Sequence, residues 1–242
     1  MSKLTVILPA AGLGSRLGLP YPKEIMQVNN STALIDYSFD FFRDYGRRDV
    51  EFVLVINENK TDIVKYVSRY KDRFNISFTF QNPNEKEYTG AIKSASHLFG
   101  EHNIVLLPDT IMTLADETDL FSSVHNSLTE TGFTFLYKRE NNPTMLKTKG
   151  CLNVSVDGTV TAYEDKPEVD FERYNAYWTS FAFRRRAFNS AMAFMEKSTL
   201  RQRISQDKVK ETPIHGSKGI EVADYMDLGT WPELRRYMCN NG

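Results

Sequence analysis

The 242-residue chain predicts an α/β fold: a mostly parallel sheet flanked by helices, with an antiparallel portion in the second half. Three observations predict it. Strand and helix signals alternate through the first hundred residues, the pattern of right-handed βαβ units. A glycine-rich bend, Ala10–Gly14, follows the first strand directly. In the second half Asp157-Gly158 separates two short β-rich runs, a hairpin signal that parallel crossovers do not produce.

The elements follow in order. Leu4–Pro9 is a short Val- and Ile-containing run, suited to a buried strand. Leu34, Tyr37, Phe41, Phe42 and Tyr45 recur at helical spacing and predict a helix over 33–45. Phe52–Ile56 reads as a second buried strand. Thr61 is placed to cap a helix whose apolar face is Ile63, Val64, Val67 and Tyr70. Ile76–Gln81 alternates as a strand. Ala91, Ile92, Ala95, Leu98 and Phe99 fit a helix face closed by Gly100. Ile104–Pro108 is a further strand, stopped by Pro-Asp. Phe133–Lys138, Cys151–Val156, Thr159–Glu164 and Tyr177–Arg184 read as strands, with helices over Ala187–Lys197 and Trp231–Met238. No repeat or linker interrupts the pattern, so a single domain over 1–242 is expected.

Composition narrows the function. Thirty basic against thirty-one acidic residues give a formal charge of −1, without the basic excess of a nucleic-acid binder. No stretch approaches the ~20 apolar residues of a membrane span. Two cysteines without CxxC or Cys/His spacing argue against a disulfide framework and a structural zinc. Four histidines form no metal-binding pair, and no Ser/His/Asp or Cys/His nucleophile arrangement is visible. A cytoplasmic enzyme is the expectation, with no nucleic acid and no membrane as partners; a homo-oligomer is left open.

The sharpest local signal is Leu8-Pro9-Ala10-Ala11-Gly12-Leu13-Gly14-Ser15-Arg16-Leu17, followed by Pro22-Lys23-Glu24. Glycines let the backbone turn and aim several N–H groups at one anion. Such a bend lies at the carboxyl end of a strand, where open parallel sheets bind ligands. Arg16 can grip phosphate oxygens bidentately and Lys23 adds a mobile charge. The dinucleotide fingerprint fails because Leu17 holds its third glycine position, and Walker A fails for want of Gly-Lys-Ser/Thr. An ordinary tight turn is the bland reading of the two glycines alone. Asp109, after Ile104–Pro108, and Asp227, before Trp231, each read as a turn or cap residue alone, but together can share one Mg²⁺. Glu164-Asp165-Lys166-Pro167 is either solvated surface or, at a strand end, a place for Lys166 to reach a substrate phosphate. Arg184-Arg185-Arg186 and Arg235-Arg236 read as solvent-facing clusters, and Trp178 and Trp231 as core.

In combination these segments resemble the sugar-1-phosphate nucleotidylyltransferases. The wording Pro9–Arg16, Pro22-Lys23-Glu24-Ile25-Met26 and Leu106-Leu107-Pro108-Asp109-Thr110-Ile111 is similar to that of the bacterial uridylyltransferases and thymidylyltransferases acting on glucose 1-phosphate. The resemblance runs from the N-terminal segment to about Thr230. It implies a GT-A-like, Rossmann-related fold, an NTP and a phosphorylated small-molecule acceptor as substrates, and Mg²⁺ as cofactor. It implies that Ala10, Ala11, Gly12, Leu13 and Gly14 cradle the nucleotide, with Gln81 and Gly90 along the base and Asp109 beside the phosphates. Arg16, Lys23 and Lys166 take catalytic roles by the same resemblance. Gly150, Asp165 and Lys166 meet the acceptor, and Asp109 and Asp227 hold the metal. Two departures bear on the acceptor: Lys147-Thr148-Lys149-Gly150-Cys151 is unusual there, and the stretch with Arg201, Arg203, Lys208 and Lys210 is basic where the uridylyltransferases are acidic. A cytidylyltransferase-type enzyme with a non-sugar phosphate or phosphonate acceptor is the alternative. A glycosyltransferase of the same broad fold and a non-catalytic nucleotide-sensing subunit stand further off.

Overall fold

Parallel pairing dominates the first part of the chain. In the computed structural model, which describes residues 3–29, 31–115, 118–202 and 206–241, β1 (Leu4–Pro9) leads to α1 (Asp36–Asp40) and β2 (Val50–Ile56). Then come α2 (Asp62–Val67), β3 (Asn75–Phe80), α3 (Glu87–Ser94), β4 (His102–Val105) and β5 (Thr110–Leu114). The second half holds α4 (Leu120–Thr131), β6 (Phe133–Arg139), α5 (Pro143–Leu146), β7 (Gly150–Val154) and β8 (Val160–Asp165). It closes with β9 (Ala176–Arg184), α6 (Phe188–Thr199), β10 (Ile220–Asp227) and α7 (Trp231–Asn241). This is the mixed α/β architecture the sequence predicts, parallel with an antiparallel portion. No helix among the described residues is long and apolar enough to cross a membrane.

The chain packs as two units. The first comprises Met1–Glu101, Val105–Thr113 and Tyr225–Gly242. In it β1 and β2 run parallel, Leu4 opposite Val50, and β2 and β3 run parallel, Phe52 opposite Ile76. The interior residues of β1 and β2 are almost wholly apolar and buried, as strands covered on both faces must be. Phe39, from α1, lies 4.4 Å from Phe52 and stacks on Tyr70 at 4.1 Å. A second cluster joins Leu17, Met26, Val28 and Leu34 to Leu228 and Leu234. This cluster docks α7 onto the segment after β1, and it carries Asp227 with it.

A buried carboxylate organises this unit. Asp36, 3% exposed, accepts from the Ala33 N–H at 2.8 Å and from the hydroxyls of Tyr66 and Tyr70 at 2.7 and 2.8 Å. Burial, then the bond to Asp36, pushes the Tyr66 hydroxyl up to about 12, so it stays a donor. Asp36→Ala strands these three donors and is expected to cost about 3 kcal/mol, read as a lower denaturant midpoint at unchanged slope.

The second unit comprises His102–Ile104 and Leu114–Asp224. Here β6 and β9 pair antiparallel, Phe133 opposite Phe183, while β7 pairs antiparallel with β8 and β9. The hairpin turn falls at Asp157-Gly158, with Gly158 at φ +84°, the conformation the turn demands. Rings of Phe133, Phe135, Tyr163, Trp178 and Phe181 stack through its core.

Several local expectations are corrected. The helix expected over 33–45 is regular only over Asp36–Asp40; beyond it Phe42 and Tyr45 bond three residues back, which tightens the coil. Thr61 does not cap with its side chain; Asn57 does, accepting from the Asn59 N–H ahead of the turn 58–60. Val64 is 36% exposed, because only Ile63 and Val67 face inward. The helix expected to stop at Gly100 stops at Ser94, followed by one tight turn, and Gly100 does not take a positive φ. Trp231, expected in the core, is 38% exposed and donates its indole N–H to the Leu17 carbonyl. Of the basic stretch before β10, Lys208 and Lys210 are exposed, and Arg203 lies outside the described residues.

Candidate active site

The bend after β1 is built to leave its backbone open. Ala10, fully buried, donates to the Val55 carbonyl at 2.8 Å and fixes the bend to the strand ends. From Gly12 onward the chain leaves the core: Gly12 meets nothing where a side chain would stand, and Leu13 is 84% exposed. Gly14 sits at φ +65°, with the aliphatic stem of Lys23 3.6 Å from where its Cβ would be. The Leu17 N–H closes the bend on the Gly14 carbonyl at 3.1 Å.

This bend forms one wall of a cleft of about 930 Å³, wholly within the first unit. Gly12, Leu13, Gly14, Arg16 and Lys23 line it on that side, Asn57–Asn59 follow from the end of β2, and Phe80 and Gln81 from the end of β3. Ala11 also lines it, whereas Ala10 and Gly90 lie behind its surface. Gly90 is required by packing: a Cβ there would fall 2.6 Å from the Glu85 backbone. That close approach lets the 82–88 segment fold over the start of α3, where Glu87 takes a φ of +57°. The Gln81 amide nitrogen donates to the carbonyls of Glu85 at 2.9 Å and Glu87 at 3.4 Å.

Arg16, Lys23 and Gly229 line the cleft, whereas Asp109 and Asp227 do not; the two acids meet those cations beside it. Lys23 forms a short ion pair with Asp109, both side chains 13% exposed. The Leu228 N–H donates to the Asp109 carbonyl at 2.9 Å, which draws the end of β10 beside the β4–β5 turn. Asp227 accepts from the Gly229 N–H at 2.9 Å. A Cβ on Gly229 would lie 3.0 Å from an Asp227 oxygen, 3.1 Å from an Asp109 oxygen and 3.5 Å from Arg16 Nη2. Two carboxylates and a guanidinium thus converge on one glycine, whose missing side chain keeps the space open. Among the described residues no group of three or more His, Cys, Asp or Glu forms a metal cage. Two hard oxygen donors beside an open cleft suit a Mg²⁺ that keeps water and substrate phosphates as its other ligands.

The second unit assembles a separate set. Gly150 and Asp165 are paired across β7 and β8, and the Lys166 N–H donates to the Lys149 carbonyl at 2.9 Å. Lys166 adopts φ +48°, a conformation that costs a non-glycine residue energy, with its ammonium 4.0 Å from the mostly buried Asp165 carboxylate. Lys147 rests over the Phe171 ring at 4.7 Å and Lys149 over Tyr177 at 5.8 Å. Glu164, in the same charge run, accepts from the Tyr174 hydroxyl. Cys151 is packing, not chemistry: burial, then the charges of Asp165 and Glu164, pushes its thiol up to about 12.

Sequence reasoning passed over Asn57, Phe80 and the 82–88 segment. Asn57 had a signal, since it directly follows a buried strand on the ligand side of the sheet. The 82–88 segment had none, because its place depends on the close approach at Gly90.

A glycine bend, paired carboxylates and two cations at strand ends define a protein that handles phosphorylated nucleotides. The chain belongs to the nucleotidyl transferase family, whose model matches residues 4–241, and it is accordingly a nucleotidyltransferase. Solved structures share the fold at low identity. The UDP-glucose pyrophosphorylase of Acinetobacter baumannii superposes with a TM-score of 0.75 at 18% identity, over 100% of this chain and 94% of that one. A UDP-glucose pyrophosphorylase complexed with UDP-glucose gives 0.75 at 16%, over 99% and 98%. A Bacillus anthracis protein assigned as a glucose-1-phosphate thymidylyltransferase gives 0.70 at 18%, over 98% and 94%. By sequence, 125 residues are 28% identical to the 2-C-methyl-D-erythritol 4-phosphate cytidylyltransferase of Wigglesworthia glossinidia brevipalpis. That match spans 49% of this chain and 48% of the relative.

Proposed function

We propose that the chain, as one nucleotidyltransferase domain, transfers a nucleoside monophosphate from an NTP to a sugar 1-phosphate, releasing pyrophosphate. The convergence of Asp109, Asp227 and Arg16 on Gly229, with Lys23 held at Asp109, carries this reading. An oxygen of the acceptor phosphate attacks the α-phosphorus; a new P–O bond forms as the bond to the β-phosphate oxygen breaks, and the electron pair leaves with pyrophosphate. The attacking oxygen is already anionic, so no general base is needed. The barrier is the approach of two polyanions, lowered by positioning and by charges fixed in advance. Arg16 forks two phosphate oxygens, and Lys23 exchanges Asp109 for the α-phosphate. Asp109 and Asp227 would hold Mg²⁺, which supplies charge neutralisation along the phosphates when bound. Gly150, Asp165 and Lys166 serve the acceptor, Lys166 at its phosphate.

For the base, Phe80 offers an exposed ring for stacking, and Gln81 has both amide hydrogens directed to backbone carbonyls. Its remaining oxygen accepts, which matches the ring N–H of uracil or thymine; cytosine presents an acceptor there. A second reading, a non-sugar phosphate or phosphonate acceptor, is favoured by the lysines at 147 and 149 beside Gly150 and by the partial likeness to a cytidylyltransferase. Pyrophosphate release measured with Mg²⁺ over a matrix of NTPs, dNTPs and phosphorylated acceptors decides. UTP or dTTP with a hexose 1-phosphate is the expected best pair. CTP with a non-sugar phosphate as best pair would install the second reading. Tight NTP binding without release would reject both.

A further inference from the structure

One charged pair in the first unit belongs to no wall of the cleft and is more deeply buried than any charged residue that does. Glu24 is 1% exposed and Lys60 4%. The Lys60 ammonium donates to both oxygens of Glu24, at 2.7 and 2.8 Å. Burying two ions adds little net stability, because desolvation offsets their attraction, and an apolar pair of similar size commonly does as well. What a two-point ionic contact adds is a fixed geometry, and here that geometry bears on the site. Glu24 follows Lys23 in a three-residue turn, Lys23–Ile25, too short to have rigidity of its own. Lys60 ends the turn 58–60, which is itself tied to the glycine bend, since Asn57 Nδ2 donates to the Ala11 carbonyl at 2.6 Å. The segment 57–60 therefore grips both the glycine bend and the turn bearing Lys23.

The geometry points to Lys60 and Glu24 as positioning residues that fix the backbone of Lys23 against the glycine bend, so that its ammonium passes from Asp109 to the substrate phosphate without a search. Neither side chain meets substrate; the pair acts through Lys23. The inference rests on the nucleotidyl-transfer reading, in which Lys23 serves the α-phosphate. It differs from a packing role in one respect. A packing defect would reduce turnover whatever stands at position 23, whereas a positioning defect matters only while Lys23 is present.

The test is a double-mutant cycle on the full chain. Replacing the pair as a unit, Glu24→Met with Lys60→Met, keeps the volume and leaves no unpaired buried charge. Glu24→Gln with Lys60→Gln is the second version, which retains hydrogen bonding if the methionine pair fails to fold. The expected result is a kcat about 10- to 100-fold lower, with KM for the triphosphate little changed and the melting temperature near wild type. In a Lys23→Met background the same replacement is expected to cost nothing further. Wild-type kcat in the folded double variant overturns the inference, as does an equal fold-loss in the Lys23→Met background. A wild-type enzyme that releases pyrophosphate in no NTP and acceptor combination removes the underlying reading and this inference with it, and so is distinguishable from an active wild type with an indifferent pair.

Discussion

Asp109→Asn is expected to lower pyrophosphate release by about 10²- to 10³-fold while the protein still folds. The change removes one negative charge where the two carboxylates converge and turns the ion pair with Lys23 into a hydrogen bond to a neutral amide. An asparagine oxygen still accepts from Lys23, and the backbone bond from Leu228 to the residue-109 carbonyl is untouched. The stability change should therefore stay within about 1 kcal/mol. Two measurements separate loss of charge from loss of fold: the melting curve should overlay wild type, and the Mg²⁺ concentration for half-maximal rate should rise. Wild-type turnover at ordinary Mg²⁺ would reject Asp109 as a metal ligand and with it the role given to Asp227.

Gly150→Ala is expected to destabilise the second unit by overpacking. A Cβ at Gly150 would fall 1.9 Å from the Trp178 indole nitrogen and 2.5 Å from the adjoining ring carbon. The indole cannot swing clear, because Phe135 and Phe181 pack against it. The backbone of β7 has to move, straining its pairing with β8 and β9. Overpacking of this kind costs about 2–3 kcal/mol, which lowers the melting temperature by roughly 5–10 °C in a chain of this size. Gly12→Ala is the control within the same melting experiment, since an added methyl there meets nothing within 4 Å. Equal melting temperatures for Gly150→Ala and wild type would show that the Trp178 contact does not constrain this strand. Glycine at position 150 thus has a packing reason for its identity, independent of any acceptor it meets.

What the sequence shows of this protein, and what it hides, follows from the range of the interactions concerned. The buried strands β1 and β2 and the Asp157-Gly158 hairpin are short-range patterns, and each stands where the residues place it. The helix α4 has local signals too: Asp119 accepts from the Phe121 N–H at its start, and Gly132, at φ +78°, closes it. Asn142 followed by Pro143 marks α5 in the same way. Apolar spacing over 33–45 extends past the regular helix Asp36–Asp40 because it does not reveal where bonds shift from four residues back to three. In the site, Arg16, Lys23 and Asp109 were legible from their place after strands. Their companions Asn57 and Phe80 fall at equivalent strand ends but lack a glycine or a charge to draw the eye. The pairing of Lys60 with Glu24 is legible nowhere in the sequence, since a lysine on a polar turn reads as solvated until the fold buries it.

The bond from Leu228 to Asp109 has a consequence for biosynthesis. The two acids that would clasp the cation reach the ribosome's exit far apart in time. During that interval the nascent glycine bend and its lysine are already made, while the last strand and the helix that anchors it are still awaited. With the metal-holding role proposed for these acids, nucleotide chemistry switches on only when that late segment docks, and a half-made chain has no competent centre with which to squander triphosphate.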